Sequence, residues 1–194
     1  MLEIIKKASL NLVKSGKIVN GSTVLAETLL ADNVCFFVIR RPGWGLCREE
    51  ALDLASKFKE LSLTNINLVG IIKEVAPIGA ATDAELGVQE FQEDYFLNYP
   101  VYIDLDKIFY KALGNKSILS QKLHSWNPFK LYSDFRKLTN RIKSKKISGN
   151  LVGEGLIKGG ILVVSKTNGI IYQHAEETGS LLPIADIEKA LKNI

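Results

Sequence analysis

The chain predicts an α/β sandwich, a mixed central sheet with helices on both faces. Three features carry that expectation. Val34 to Ile39 is a run of β-branched and aromatic residues around Cys35, the pattern of a strand buried on both faces. After a loop punctuated by Pro42-Gly43, residues Ala51, Leu54, Ala55, Phe58 and Leu61 recur at amphipathic-helix spacing. Asn65 to Ile72 is a second buried strand, so strand, helix and strand make a right-handed crossover and a parallel pair.

The other elements follow in order. Ala8 to Val13 is a short apolar run, followed by Gly16-Lys17-Ile18-Val19 and then by Asn20-Gly21, which predicts the turn of an N-terminal hairpin. Ser22 or Thr23 is placed to cap a helix over Val24 to Ala31. Beyond the crossover, residues Glu74 to Glu85 read as a loop, Gly87 to Phe96 as a short helix and Val101 to Ile103 as a brief strand. Leu105, Ile108, Phe109, Ala112 and Leu113 make a helix face that ends at Gly114-Asn115. Residues Ser117 to Ile147 predict two helical pieces broken at Asn127-Pro128, with Leu131, Phe135, Leu138 and Ile142 as the apolar stripe. Ile161 to Val164 and Ile170 to Gln173 form an antiparallel hairpin about Thr167-Asn168-Gly169, and a last helix runs from Pro183 to Asn193. This order specifies a thioredoxin-like α/β sandwich with an N-terminal hairpin and extra helices before the last β-hairpin. With no repeat, low-complexity tract or linker, the 194 residues are expected to form one domain, 1–194.

Composition narrows the function. At 46% hydrophobic and 24% charged the chain has the balance of a globular protein, and no run approaches the ~18 apolar residues of a membrane span. The N-terminal residues lack a secretory pattern, and two cysteines without a partner suit a reducing compartment, so a cytoplasmic location is expected. A Cys35–Cys47 bridge is not expected, because a strand interior and the next helix start lie further apart than the ~7 Å limit on Cα separation. His124 and His174 stand far apart with no Cys/His cluster, so no metal is expected. The net charge of +4 is uneven: residues 128–147 hold seven basic residues against Asp134, leaving the rest at −2. That basic segment offers contact with an anionic surface. Few aromatics interleave with its charges beyond Trp126, Phe129 and Tyr132, which does not favour nucleic acid.

Cys47 is the first candidate for chemistry. It lies where the loop becomes the helix, beside unpaired backbone N–H groups and the positive end of the helix dipole. Arg40, Arg41 and Arg48 lie close in sequence, and cations favour a thiolate. Lys158, just before the Ile161 strand, is a weaker candidate to approach the sulfur, with a solvated loop lysine as the plain alternative. The glycine-rich loop 149–160 spaces its glycines as GxGxxxG and precedes a strand. Tight turns and close strand approach therefore account for it better than a phosphate site.

Several blocks, in order, carry a family resemblance. Arg40-Arg41-Pro42-Gly43-Trp44-Gly45-Leu46-Cys47-Arg48 resembles the Arg-Arg-x-Gly-Cys-x-x-Cys-Arg signature of the peroxiredoxin-like proteins of the AhpC/TSA type. The likeness continues through Leu86 to Phe91, Tyr102 to Asp104, Phe109 to Gly114, Gly149 to Gly153 and Gly159 to Lys166. Pro42, Leu46 and Glu49-Glu50 are most similar to the redox-regulatory branch, with the prostamide/prostaglandin F synthase branch slightly further off.

The resemblance implies an oxidoreductase that reduces an O–O bond, in a hydroperoxide or a prostaglandin H2-type endoperoxide, through the Cys47 thiolate. It implies no bound cofactor, electrons from NADPH directly or via thioredoxin, and thioredoxin or glutathione as the resolving partner. The substrate would be a small lipid or a hydroperoxide. Arg40, Arg41, Pro42, Gly43, Trp44, Arg48 and Lys158 would support the thiolate or form the site loop. At one position the match fails: Trp44 stands where relatives have the first cysteine of the pair. Three readings follow, ranked in this order: a one-cysteine reductase resolved by an outside thiol, a thioredoxin-like binding or regulatory module without catalysis, and a surface-binding accessory protein.

Overall fold

The computed structural model describes residues 1–75, 86–115, 136, 139–177 and 180–194. Seven strands make one sheet in the order β2-β1-β5-β4-β3-β6-β7. They are β1 Ser9–Lys14, β2 Lys17–Leu25, β3 Asn33–Val38, β4 Ile66–Ile72, β5 Val101–Ile103, β6 Gly160–Ser165 and β7 Gly169–Ala175. β3, β4 and β5 run parallel at the centre, and the flanking pairs are antiparallel. The mixed sheet expected from sequence is the one observed.

Alternation along β3 shows why both faces are apolar. Cys35, Phe37 and Ile39 pack one core, with α3 (Gly45–Glu60) and the last helix, α6 (Ile184–Leu191), supplying Ala51, Leu54, Phe58, Ile187 and Leu191. Val34, Phe36 and Val38 pack the opposite core, against Ile5 of α1 (Leu2–Ile5), Ala26 of α2 (Ala26–Leu29) and Phe109 of α5 (Ile108–Ala112). Helices therefore cover both faces.

Three local expectations are corrected. The hairpin turns at Ser15-Gly16, both at positive φ, rather than at Asn20-Gly21. Asn20-Gly21 instead lies in an irregularity within β2, where the register jumps between Asn11↔Thr23 and Val13↔Ile18. Ser22 fills that gap by accepting the Leu12 N–H at 2.9 Å and donating to the Val19 carbonyl, so it caps no helix. With Ser22 and Thr23 committed to strand pairing, α2 shrinks to four residues. Leu105 is exposed and precedes α5 instead of joining its face.

The helix expected over Gly87 to Phe96 forms as α4 (Val88–Glu90), then widens into a π-helical turn at Phe91–Tyr95. Most of the expected 74–85 loop and the break at Asn127-Pro128 lie outside the described residues, as do Leu131, Phe135 and Leu138 of the stripe and Trp126, Phe129 and Tyr132. Residues 139–144 are helical, and Ile142 of that segment packs over Gly45.

The topology gathers several chain segments at one end of the sheet. β3, β4 and β5 end there, β6 starts beside Val38, and β7 ends opposite Gly160. In parallel α/β sheets the carboxyl ends of the strands are the usual ligand end. That is where Cys47 lies.

Candidate active site

Trp44 is the N-cap of α3, and Gly45, Leu46 and Cys47 are its first three residues. The helix starts there because Pro42 and Gly43 interrupt the chain after β3. The Trp44 N–H closes the turn onto the Arg41 carbonyl at 3.1 Å. Cys47 thus occupies the helix start expected of it, with Trp44 in the preceding loop.

Its electrostatics differ from the expectation. Cys47 is 2% exposed, and burial is the largest influence on its thiol, pushing it well above the ordinary value. Glu176 and Glu50 push the same way, while a hydrogen bond from the Arg41 backbone and the charge of Arg40 pull it down. Desolvation, Glu176 and Glu50 together outweigh the Arg41 hydrogen bond and the charge of Arg40. Cys35 lies fully buried in β3, and its thiol is pushed up by burial alone. Neither cysteine is in a disulfide.

The arginines divide their work. Arg40 pairs with Glu176 at 3.0 Å, donates through Nε to the Gly155 carbonyl at 2.6 Å, and lies 4.4 Å from the centre of the Trp44 ring. Arg41 reaches the sulfur through its backbone, and its guanidinium passes over Gly155, where any side chain would collide with it. Arg48 is not among the largest influences on the sulfur and is spent instead on the site loop and its neighbours. Adjacent helical residues face different directions. Its guanidinium donates to the Pro42 carbonyl at 3.0 Å, the Ser148 carbonyl at 3.1 Å and Glu90 at 2.7 Å. Gly43 accepts the Asn150 N–H at 2.7 Å, binding the site loop to the glycine-rich loop.

Lys158 is 2% exposed, so the solvated reading does not hold, and it is not among the largest influences on Cys47. The glycine loop behaves as the plainer account expects. A Cβ on Gly159 would overlap the Val38 carbonyl, so only glycine lets β6 approach β3 there. Among the described residues no group of His, Cys, Asp and Glu side chains is arranged to hold a metal.

Sequence reasoning missed two carboxylates. Glu50 is 3% exposed, and burial and Glu176 hold its carboxyl well above the usual range, which favours the protonated form. It stands three residues after Cys47, on the same helix face, a spacing that the sequence displays. Glu176 arrives only because β7 ends beside β6, and it also accepts the Gly159 N–H at 3.1 Å. Part of the basic segment is likewise committed inside the molecule. Arg141 and Lys145 pair with the fully buried Glu49 at 3.0 and 2.9 Å, and Lys145 also meets Asp53.

A thioredoxin-like sheet with a cysteine opening the helix after a central parallel strand is the frame of the peroxiredoxin-like oxidoreductases. The chain belongs to the AhpC/TSA antioxidant enzyme family, whose model matches residues 53–178, a stretch that begins just after Cys47. It is 33% identical over 190 residues to the prostamide/prostaglandin F synthase of Salmo salar, covering 96% of this chain and 87% of that one. It is 32% identical over 173 residues to peroxiredoxin-like 2A of Gallus gallus, covering 87% and 68%. Among solved structures it is similar in fold to Enterococcus faecalis AhpC (TM-score 0.59, 11% identity, 98% and 91% covered). Xanthomonas campestris peroxiredoxin Q is similar too (TM-score 0.59, 13% identity, 98% and 93% covered).

Proposed function

We propose that the chain is a one-cysteine oxidoreductase that reduces an O–O bond at Cys47, in a hydroperoxide or a prostaglandin H2-type endoperoxide. The observation that carries the reading is the juxtaposition at the sulfur: the third position of a helix, the Arg41 backbone hydrogen bond and, one turn on, the buried Glu50, whose carboxyl is pushed well above its usual range by burial. Relatives named prostamide/prostaglandin F synthase and peroxiredoxin-like 2A support the same chemistry.

The thiolate attacks one peroxide oxygen; an S–O bond forms, the O–O bond breaks, and the departing alkoxide takes a proton. Glu50 is the carboxyl placed to pass the proton lost by the thiol to that alkoxide. A hydroperoxide leaves Cys47 as sulfenic acid and releases an alcohol, whereas an endoperoxide leaves a sulfenate ester of the same molecule. An external thiol, from thioredoxin or glutathione, then attacks the sulfur, releasing water or the alcohol and forming a mixed disulfide. A second thiol reduces it, with electrons drawn from NADPH directly or through thioredoxin. Such a cycle suits a reducing compartment such as the cytoplasm.

Burial is the largest cause of the raised thiol. Any opening that admits substrate also admits water to the sulfur and removes that largest cause, leaving Arg40 and the Arg41 amide to act against the smaller opposing influence of Glu176 and Glu50. One observation favours a second reading, a thioredoxin-like binding or regulatory module. Trp44 replaces the partner cysteine, and its ring stacks with Arg40 beside a sulfur that is 2% exposed. Turnover of a hydroperoxide and an endoperoxide, with thioredoxin and its reductase, separates the two. The native chain is expected to turn over and Cys47→Ser to be inactive; equal rates overturn the enzyme reading.

A further inference from the structure

We propose that Lys73 is a positioning residue for Cys47, acting through the single peptide unit that joins Arg40 to Arg41. Lys73 follows the last residue of β4, and β4 lies parallel to β3 with Ile71 opposite Val38. The pairing continues one step further, where the Ile39 N–H donates to the Ile71 carbonyl at 2.8 Å. Lys73 therefore emerges alongside Arg40. Its ammonium is buried and donates a hydrogen bond to the Arg40 carbonyl oxygen.

The nitrogen of that same peptide unit belongs to Arg41, whose backbone hydrogen bond pulls the Cys47 thiol down. In a trans peptide the C=O and N–H point in opposite directions. Cation and sulfur thus sit at the two poles of one amide dipole. A cation bound at the oxygen withdraws electron density from the unit and makes its N–H a stronger donor, a short cooperative hydrogen-bond chain. It also fixes the plane of the peptide, and so the direction in which the N–H points.

The surroundings keep Lys73 in this role. Glu154 pairs with the ammonium at 3.2 Å, and the ammonium lies 5.1 Å from the centre of the Tyr110 ring. The Tyr110 hydroxyl donates to the Ile39 carbonyl at 2.7 Å, fixing the residue just before the relay. Burial pulls the ammonium below its usual range, while Glu154, Glu74 and Cys47 act to keep it charged. The charged and titratable groups that act on the sulfur are Glu176, Glu50, Arg40 and Arg41, with Lys73 and Tyr110 from the neighbouring β4 and α5 segments. Lys73 touches no reacting atom; its hydrogen bond acts on the sulfur by way of the amide, and its charge adds a direct attraction for the thiolate in the same direction.

This inference rests on Cys47 being the reacting sulfur. Its test is the pH dependence of Cys47 alkylation, followed by peptide mass spectrometry in the native chain, Lys73→Met and Lys73→Arg. Lys73→Met is expected to raise the midpoint and, below it, to slow alkylation about tenfold, the change in thiolate fraction for a one-unit shift. Lys73→Arg, which keeps the charge and the donor, is expected to restore most of the rate. An unchanged midpoint in the methionine variant, or an equal shift in both variants, overturns the proposal. Should the methionine variant not fold, Lys73→Gln, which keeps a donor without the charge, decides by the same two outcomes. Peroxide turnover by the native chain and Cys47→Ser, measured alongside, tests the enzyme reading separately.

Discussion

Arg40 and Glu176, 136 residues apart in sequence, form an ion pair of 3.0 Å with both side chains less than a tenth exposed. The pair joins the segment after β3 to the segment after β7, beside Cys47. Removing one partner of such a pair strands a buried charge, which costs about 3–5 kcal/mol, whereas an apolar replacement of both is nearly neutral. Arg40→Ala is therefore expected to lower the urea midpoint sharply, and Arg40→Met combined with Glu176→Leu to recover most of the loss. A single variant that unfolds at the native midpoint would show the pair to be incidental.

Glu50 gives stability a pH dependence opposite to that of an ordinary paired carboxylate. Its folded value lies well above the unfolded one, so between the two the native state holds a proton that the unfolded chain has released. Stability is highest below the unfolded value and falls as pH rises through the folded one, at up to ~1.4 kcal/mol per pH unit. Cys47 adds a loss of the same sign at higher pH. Urea unfolding of Glu50→Gln across mildly acidic to neutral pH is expected to be flatter than that of the native chain. A parallel pair of curves would place the proton elsewhere.

How much of this was legible in the sequence depends on the range of each interaction. The β3–α3–β4 unit was readable because its signals are local: an apolar run, a Pro-Gly break and helical spacing over residues 34–72. Cys47 at the helix start follows from the same stretch. Asn20-Gly21 misled because a dipeptide that favours a tight turn also fits the irregularity where β2 departs from β1. Arg48 serves the site loop, through the Pro42 carbonyl, and its partners Ser148 and Glu90 could not be read because they lie 100 and 42 residues away. Glu176 and Lys73 were beyond reach, since each is brought to the site by strand pairing rather than by spacing.

Arg48 is a structural keystone of the site loop. Its 1% exposed guanidinium joins Pro42, Ser148 and Glu90, and lies 4.9 Å from the centre of the Tyr95 ring in the π-helical turn. A lysine has the charge but not the planar fork that serves several acceptors at once. Arg48→Lys is expected to destabilise by about 2 kcal/mol and Arg48→Ala by about 3–5 kcal/mol. The alkylation midpoint of Cys47 should stay near the native one, since Arg48 is not among the main influences on the sulfur. Thermal unfolding and alkylation together check this; a midpoint that moves without loss of stability would return Arg48 to the sulfur's environment.

Trp44 decides what happens to Cys47 once it is oxidised. It is the N-cap residue three positions before Cys47, the place of the first cysteine in the family's pair, and its ring is held under Arg40 at 4.4 Å. In the native chain no thiol stands there, so one equivalent of hydroperoxide is expected to leave a sulfenic acid that dimedone traps. Trp44→Cys supplies a thiolate three residues away. Its attack on the sulfenic sulfur forms an S–S bond and releases water, giving a protein two hydrogens lighter than its reduced form and blind to dimedone. Mass spectrometry after peroxide treatment reads both states. The introduced thiol also removes the indole from beneath Arg40, so the variant should alkylate faster than the native chain even before oxidation. A dimedone adduct that persists in the variant would show that position 44 cannot reach the sulfur. A native chain that never forms the adduct would instead favour the binding-module reading of the same site.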